Sequence, residues 1–213
     1  MSLSVRALVS LSIVGAFASV ASAQITNGGF EQPNTGFQSV ASGQTFGGWT
    51  NLGPGNIEFV QAVANPNLPN LQFSAFEGQY WIDLVGTQQP SAISQTLTNL
   101  ESGSFYRISW AQAGNVWGGN FAFTMQVLWN GTVVAENTQI HGGNNGQFMN
   151  WVERSVIVQA NLENDLNVLT FRAITGGSAR GPALDAVSIT LVPAPGAAAM
   201  LGLGTLLVAR RRR

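Results

Sequence analysis

The sequence predicts an all-β fold, an antiparallel β-sandwich of two sheets with a jelly roll as the favoured topology. Three observations lead to this prediction. Apolar and polar residues alternate in several short segments, turns rich in glycine and asparagine separate those segments, and the core has no sustained 3.6-residue apolar period. About eight short strands spaced in this way are typical of two-sheet sandwiches.

The individual strands follow from this alternation. Segment 105–114 alternates over its whole length, and segment 121–136 predicts a hairpin because Asn130-Gly131 is a type I′ turn dipeptide between two alternating runs. Six further strands are predicted at 57–60, 79–85, 92–97, 151–160, 168–174 and 183–191. The intervening stretches 31–56, 64–70 and 141–150 are expected to be long irregular loops, where binding residues tend to lie.

The first 23 residues are predicted to be a secretory signal peptide. Arg6 supplies the positive charge, residues 7–18 form an almost unbroken apolar run, and small residues precede a cleavage site between Ala23 and Gln24. The mature chain is therefore expected to begin at Gln24 and to be exported, with a cell-surface or extracellular location.

The other end, 193–213, is predicted to be a sorting and anchoring tail. Pro193 and Pro195 precede an apolar run from 196 to 209, and the chain ends in Arg210, Arg211, Arg212 and Arg213. As a helix that run rises only about 21 Å, less than the roughly 30 Å of a hydrocarbon core, so snorkelling arginines and local thinning would have to support membrane anchoring.

This tail resembles the PEP-CTERM class of bacterial sorting signals. The resemblance implies recognition, and processing near the proline motif, by an exosortase, although Ala194 stands where the class name has a glutamate. A plain C-terminal membrane anchor is the alternative.

The core between these ends, 24–192, is acidic and has no cysteine. Four arginines remain there against ten acids, a formal charge of −6. Nucleic acid is not expected as a partner, because phosphate binding needs a basic surface. The lack of cysteine excludes disulfides and thiolate zinc sites, and the single histidine, His141, excludes a histidine-cluster metal site. Neutral or cationic partners, or divalent cations, fit this charge better.

Short motifs follow one another along the core in a characteristic order. They are NGGFE, GGW, IEFV, GQYWIDLVG, ISQTL, GSFYRISWAQAGN and GPALDAVSI. This order resembles the domain-of-unknown-function 642 family, also called choice-of-anchor C, over nearly all of 24–192. The resemblance implies a galactose-binding-like β-sandwich, the fold of many carbohydrate-binding modules. Plant members, associated with cell-wall polysaccharides, usually carry two domains and cysteines, so their partners are not transferred to this chain.

The resemblance also implies a structural calcium ion. Related sandwich modules often hold calcium between the N-terminal loop and the last strand, and the matching positions here are Glu31 and Asp185. Calcium takes six to eight oxygen ligands, and Gly28 and Gly29 would let backbone carbonyls come close. The alternative is that both carboxylates accept hydrogen bonds from backbone amides.

Trp117 is the candidate residue for ligand contact. It lies in GNVWGGN between two predicted strands. Trp110 and Trp129 fall in strand patterns and Trp151 at a strand start, so these three are expected in the core. An exposed indole there would stack on a sugar ring, with hydrogen bonds from Gln112, Asn115 and Asn120. The polar loop that begins at His141 is a further candidate contact. The alternative is that Trp117 packs back onto the edge of the sandwich.

Catalysis has little support in the sequence. There is no cysteine nucleophile and no Gly-x-Ser-x-Gly elbow. A carboxylate pair for glycoside hydrolysis would have to come from Glu58, Glu77 and Asp83, but their spacing selects no pair. We therefore expect an exported, surface-anchored, non-catalytic binding module for extracellular or envelope polysaccharide. A structural surface or matrix protein that makes protein contacts without binding sugar is the alternative, and a glycoside hydrolase or lyase is the third class.

Overall fold

The computed structural model describes residues 25–33, 35–62, 72–117, 121–140, 148–163, 166–177 and 179–193. The first six strands are β1 (Gln38–Val40), β2 (Thr45–Phe46), β3 (Trp49–Asn51), β4 (Ile57–Gln61), β5 (Tyr80–Asp83) and β6 (Ala92–Leu97). The other six are β7 (Phe105–Gly114), β8 (Ala122–Trp129), β9 (Thr132–Ile140), β10 (Val152–Gln159), β11 (Asn167–Ala173) and β12 (Pro182–Leu191).

The strands form two six-stranded antiparallel sheets, which confirms the predicted jelly-roll sandwich. The first sheet has the order β1-β4-β5-β12-β7-β10, and the second has the order β2-β3-β6-β11-β8-β9. In the described part of the chain, no helix has the length and apolarity needed to cross a membrane.

Every strand predicted from the sequence is present. β6 has the predicted bounds, and the hairpin turn between β8 and β9 has φ values of 51° at Asn130 and 80° at Gly131, as a type I′ turn requires. The prediction that 31–56 is wholly irregular was wrong, because β1, β2 and β3 lie within it. These strands have two or three residues each, too few to show a readable alternation.

The main core lies between the two sheets. Trp49 and Trp110 both pack against Phe171 of β11, with ring centroids 6.1 Å and 5.8 Å apart. Trp129 is also buried and belongs to this core, as the sequence predicted.

A second apolar cluster covers the outer face of the first sheet. Trp81 of β5 and Ala183 of β12 belong to it, because they alternate with residues that face the main core. Segment 72–76 lies across this face, since the indole nitrogens of Trp81 and Trp151 donate to the carbonyls of Phe73 and Ser74, at 3.3 Å and 2.8 Å. Trp151, expected in the core, is half-buried in this outer cluster.

The start of the described chain is fixed to the last strand. The Val187 amide donates to the Gly28 carbonyl at 2.9 Å. The Gln95 side chain accepts from the Thr26 amide at 2.8 Å and donates to its carbonyl at 2.9 Å. Phe30 is fully buried, so the N-terminal segment forms part of the fold.

Candidate functional site

An open cavity of about 410 Å³ lies on the outer face of the first sheet. Its volume falls in the range of small-molecule sites. It forms there because Glu58 and Val60 of β4 alternate with the core residues Ile57 and Phe59 and therefore point outward. The lining residues are Phe37, Glu58, Val60, Gln61, Phe73, Asn115, Trp117 and Ala179.

Trp117 forms one aromatic wall of this cavity. Its side chain is 43% exposed, and its ring centroid lies 6.1 Å from that of Phe73, with 37° between the planes. Its amide donates to the Asn115 side-chain oxygen at 2.9 Å, which fixes the loop that carries the indole. Trp117 therefore contacts a neighbouring ring on the protein side and keeps part of its surface open to solvent.

Asn115 also lines the cavity and is almost fully buried. Its side-chain nitrogen donates to the carboxylate of Asp83 at 2.5 Å and to the carbonyl of Ala179 at 3.1 Å. The polar atoms of Asn115 thus hold the loops around the cavity together.

Gln112 does not reach this cavity, which corrects the expectation that it lies beside Trp117. The alternation of β7 places it on the same face as Trp110, toward the second sheet. It is fully buried there, and its side-chain nitrogen donates to the carbonyl of Asn137 at 3.1 Å. The other two predicted contacts, Asn120 and His141, lie outside the described residues.

Two acidic residues, one of which lines the cavity, are neighbours on the first sheet. Glu58 of β4 and Asp83 of β5 are direct cross-strand partners, so their side chains share the outer face of the sheet. Glu77, the third acid considered from the sequence, lies in the loop before β5. The cross-strand register between β4 and β5 pairs Glu58 with Asp83, and the sequence alone does not give that register.

Asp83 is fully buried, and both of its oxygens are engaged. One oxygen accepts from Asn115 and the other from the Val85 amide at 2.9 Å. Burial raises the pKa of Asp83 to about 8, the charge of Glu58 adds to the rise, and the two hydrogen bonds oppose it. The rise favours the protonated form of Asp83 near neutral pH.

Glu58 differs from Asp83 because its carboxylate faces the cavity. Its side chain is only 5% exposed, and no hydrogen bond or ion pair joins it to another described residue. Burial raises the pKa of Glu58 above its usual value. Among the described lining residues, Glu58 is therefore the acid that is available to contact a ligand.

Glu31, one of the two predicted calcium ligands, binds backbone amides. One carboxylate oxygen accepts from the amides of Gln79 and Tyr80, at 2.8 Å and 3.1 Å. This contact joins the N-terminal segment to the start of β5.

Asp185 of β12, the other predicted ligand, binds amides of the same loop. One oxygen accepts from the amides of Phe76 and Glu77 at 2.8 Å and 3.1 Å, and the other accepts from the Ala186 amide at 2.7 Å. Burial raises the pKa of Asp185 to about 7, while these amides oppose the rise and the charge of Glu77 adds to it.

Both acids therefore accept hydrogen bonds from backbone amides, which is the alternative to calcium binding that the sequence left open. An amide N–H presents positive charge to a carboxylate oxygen from the side on which a cation would bind, and five amides do so here. Among the residues in the described ranges, no group of three or more His, Cys, Asp or Glu side chains is placed to hold a metal ion. This arrangement fits amide binding better than a shared ion, and the calcium site stays a prediction.

The fold and this site define a jelly-roll β-sandwich domain with an open, aromatic-lined cavity on one sheet face. The chain belongs to the family described as protein of unknown function (DUF642), whose model matches residues 23–190. No match to a curated protein sequence was found.

Solved structures share this fold at low sequence identity. A cyclase from Fischerella sp. TAU has a TM-score of 0.54 and 19% identity, over 81% of this chain and 98% of its own. A Stig cyclase, Fisc, from the same organism in complex with (3Z)-3-(1-methyl-2-pyrrolidinylidene)-3H-indole has a TM-score of 0.53 and 18% identity, over 81% and 98%. TmCBM61 in complex with β-1,4-galactotriose has a TM-score of 0.46 and 14% identity, over 79% and 97%. At these identities the likeness to the two cyclases extends to the fold alone.

Proposed function

We propose that this protein is an exported, surface-anchored, non-catalytic module that binds an extracellular or cell-envelope polysaccharide. The cavity on the outer sheet face carries the proposal. It combines the aromatic surfaces of Phe37, Phe73 and Trp117 with a few polar groups. Sites for small ligands need this mixture of apolar walls for contact area and a few polar groups for orientation.

The carboxyl groups support binding without catalysis. Hydrolysis of a glycosidic bond requires two carboxyl groups that flank it. Asp83 is fully buried and engaged with Asn115 and the Val85 amide, which leaves Glu58 as the acid facing the cavity. We therefore expect no release of reducing sugar from a polysaccharide that binds.

Export and anchoring are proposed from the two ends of the sequence. The signal peptide would be cut between Ala23 and Gln24, and an exosortase-like enzyme would process the tail of 193–213. Pro193 is exposed at the end of the last described range, and the remaining residues of these two sites lie outside the described residues. Intact-mass measurement of the surface form, compared with the full sequence, tests both cuts.

The polysaccharide site is tested by replacing Trp117. Trp117→Ala is expected to weaken binding to the preferred polysaccharide about tenfold or more, because it removes a large, partly exposed aromatic surface from the cavity. Phe105→Ala is the matched control, since Phe105 is an exposed aromatic on β7 that does not line the cavity. Affinity would be measured by titration calorimetry after a glycan array has identified the ligand.

Two results would contradict this proposal. If the wild-type protein binds no polysaccharide on the array, with or without added calcium, the structural surface protein becomes the better account. Equal losses of affinity in Trp117→Ala and Phe105→Ala would place the ligand outside the cavity.

The structural calcium ion is proposed from the family resemblance alone. An ion bound by Glu31 and Asp185 in the folded state would stabilise that state by mass action, so EDTA would lower Tm. Glu31→Gln would make Tm insensitive to EDTA. An unchanged Tm in EDTA, together with no calcium by elemental analysis of the purified protein, would contradict the proposal.

A further inference from the structure

The described lining of the cavity holds an acidic side chain that no basic side chain of that lining balances. Among its described lining residues Glu58 is the acid, and no basic side chain is present. Arg180 directly follows the lining residue Ala179 in the sequence. Its guanidinium lies 5.1 Å from the ring centroid of Phe121, and neither residue lines the cavity.

Glu58 is almost fully buried, and no hydrogen bond or ion pair joins it to another described residue. Burial of an ionised carboxylate is costly unless a cation or hydrogen-bond donors compensate it. Its cross-strand neighbour Asp83 does not supply that compensation, since the oxygens of Asp83 are directed to Asn115 and Val85. A ligand that brings positive charge would therefore satisfy Glu58.

The aromatic walls favour the same kind of ligand. The face of an aromatic ring attracts an ammonium group that lies within about 6 Å of its centroid. Phe37, Phe73 and Trp117 line the same cavity as Glu58. A carboxylate beside aromatic rings is suited to an amine, whereas a neutral sugar would leave the carboxylate without a counter-charge.

We propose that this cavity selects polysaccharides with free amino groups, and that it seats one sugar ammonium between Glu58 and the aromatic walls. This inference rests on the proposed function, since it names the class of polysaccharide. The acidic charge of the core, four arginines against ten acids, agrees with a cationic partner.

The test compares two probes that differ in the amino group. The full-length protein, kept in a detergent without a sugar headgroup, would be titrated with β-1,4-linked glucosamine tetramer and with N-acetylglucosamine tetramer. We expect the glucosamine tetramer to bind at least about tenfold more tightly, because acetylation removes the positive charge.

A pair of variants separates Glu58 from general attraction between opposite charges. Glu58→Gln keeps the side-chain shape. It is expected to reduce the preference for the glucosamine tetramer over the N-acetylglucosamine tetramer to within about twofold. Glu153→Gln removes an exposed acid from β10, outside the cavity, and is expected to retain the preference. If Glu58→Gln fails to fold, the preference for free amino groups is still tested by titrating the wild-type protein with the two tetramers.

The outcomes distinguish this inference from the proposed function. Equal binding of the two tetramers, or exclusive binding of a neutral polysaccharide, would overturn the amine preference and leave the polysaccharide site in place. An unchanged preference in Glu58→Gln would overturn the role of Glu58. Failure of every polysaccharide to bind would overturn both proposals.

Discussion

Gly28→Ala is expected to destabilise the folded domain by about 3 kcal/mol or more. A Cβ atom at Gly28 would overlap the carbonyl oxygen of Val187 and lie 3.2 Å from the Ile25 side chain. The backbone oxygen cannot rotate away as a side chain can, so the two segments would have to separate. The bond between the Val187 amide and the Gly28 carbonyl would be strained or lost.

This effect is large because Gly28 lies where the chain closes on itself. Phe30, two residues later, is fully buried and packs 5.7 Å from Trp49, measured between ring centroids. Displacement of Gly28 would therefore also disturb the main core between the sheets. With no cysteine in the chain, no disulfide can hold this closure.

Gly177→Ala is the matched control. A Cβ atom there has no heavy atom within 4 Å, so we expect a change of less than about 0.5 kcal/mol. Urea denaturation of the wild-type protein and both variants measures the difference. Equal midpoints for Gly28→Ala and the wild type would show that the N-terminal segment is not fixed to β12 in solution.

The domain is expected to lose stability as the pH rises from about 5 to about 8. Asp83 has a pKa of about 8 in the folded state, far above the ordinary aspartate value of 3.8. Between these values the folded state holds a proton that the unfolded chain has released. The stabilising contribution is thus complete below the unfolded pKa and is lost as the pH rises through the folded pKa.

The size of this effect follows from proton linkage. A single carboxyl contributes a slope of about 1.4 kcal/mol per pH unit, so we expect Asp83 alone to account for a loss of about 2–4 kcal/mol across this range. Asp185, with a pKa of about 7, adds to the loss at the lower end of the range. Urea denaturation at several pH values gives the slope directly.

Asp83→Asn tests whether Asp83 causes this dependence of stability on pH. The variant cannot titrate, so its stability should depend less steeply on pH, although the new amide faces the Asn115 donor and lowers stability at every pH. Glu101→Gln, a change at an exposed acid, should leave the slope unchanged. A stability that is flat or increases with pH in the wild type would contradict the assignment.

The sandwich was predictable because its longer strands alternate clearly. β6 and β7 have the bounds that alternation alone gave. The strands β1 to β3 were missed because pairing with neighbouring strands, which is a tertiary effect, defines such short segments.

The candidate site was predictable only in part. Trp117 was identified from its Gly- and Asn-rich surroundings, but no local pattern could bring Phe37 and Phe73 to the same cavity. The pairing of Glu58 with Asp83 depends on cross-strand register, which is set by the hydrophobic pattern together with turn geometry and cannot be read from the spacing of two acids.

The placement of Gln112 had a signal in the sequence. The alternation of segment 105–114 that places Ile108 and Trp110 on the apolar face also places Gln112 there. Extension of that alternation by one more step would have removed Gln112 from the predicted ligand contacts.

The central claim is that the aromatic cavity is the polysaccharide site. A crystal structure of the protein with the tightest-binding oligosaccharide tests it most directly. We predict that a sugar ring will lie against the Trp117 indole and that a polar group of the ligand will be directed at Glu58. A sugar bound elsewhere, for example in the polar groove beside Glu153 and Arg154, with nothing bound against Trp117, would contradict the claim.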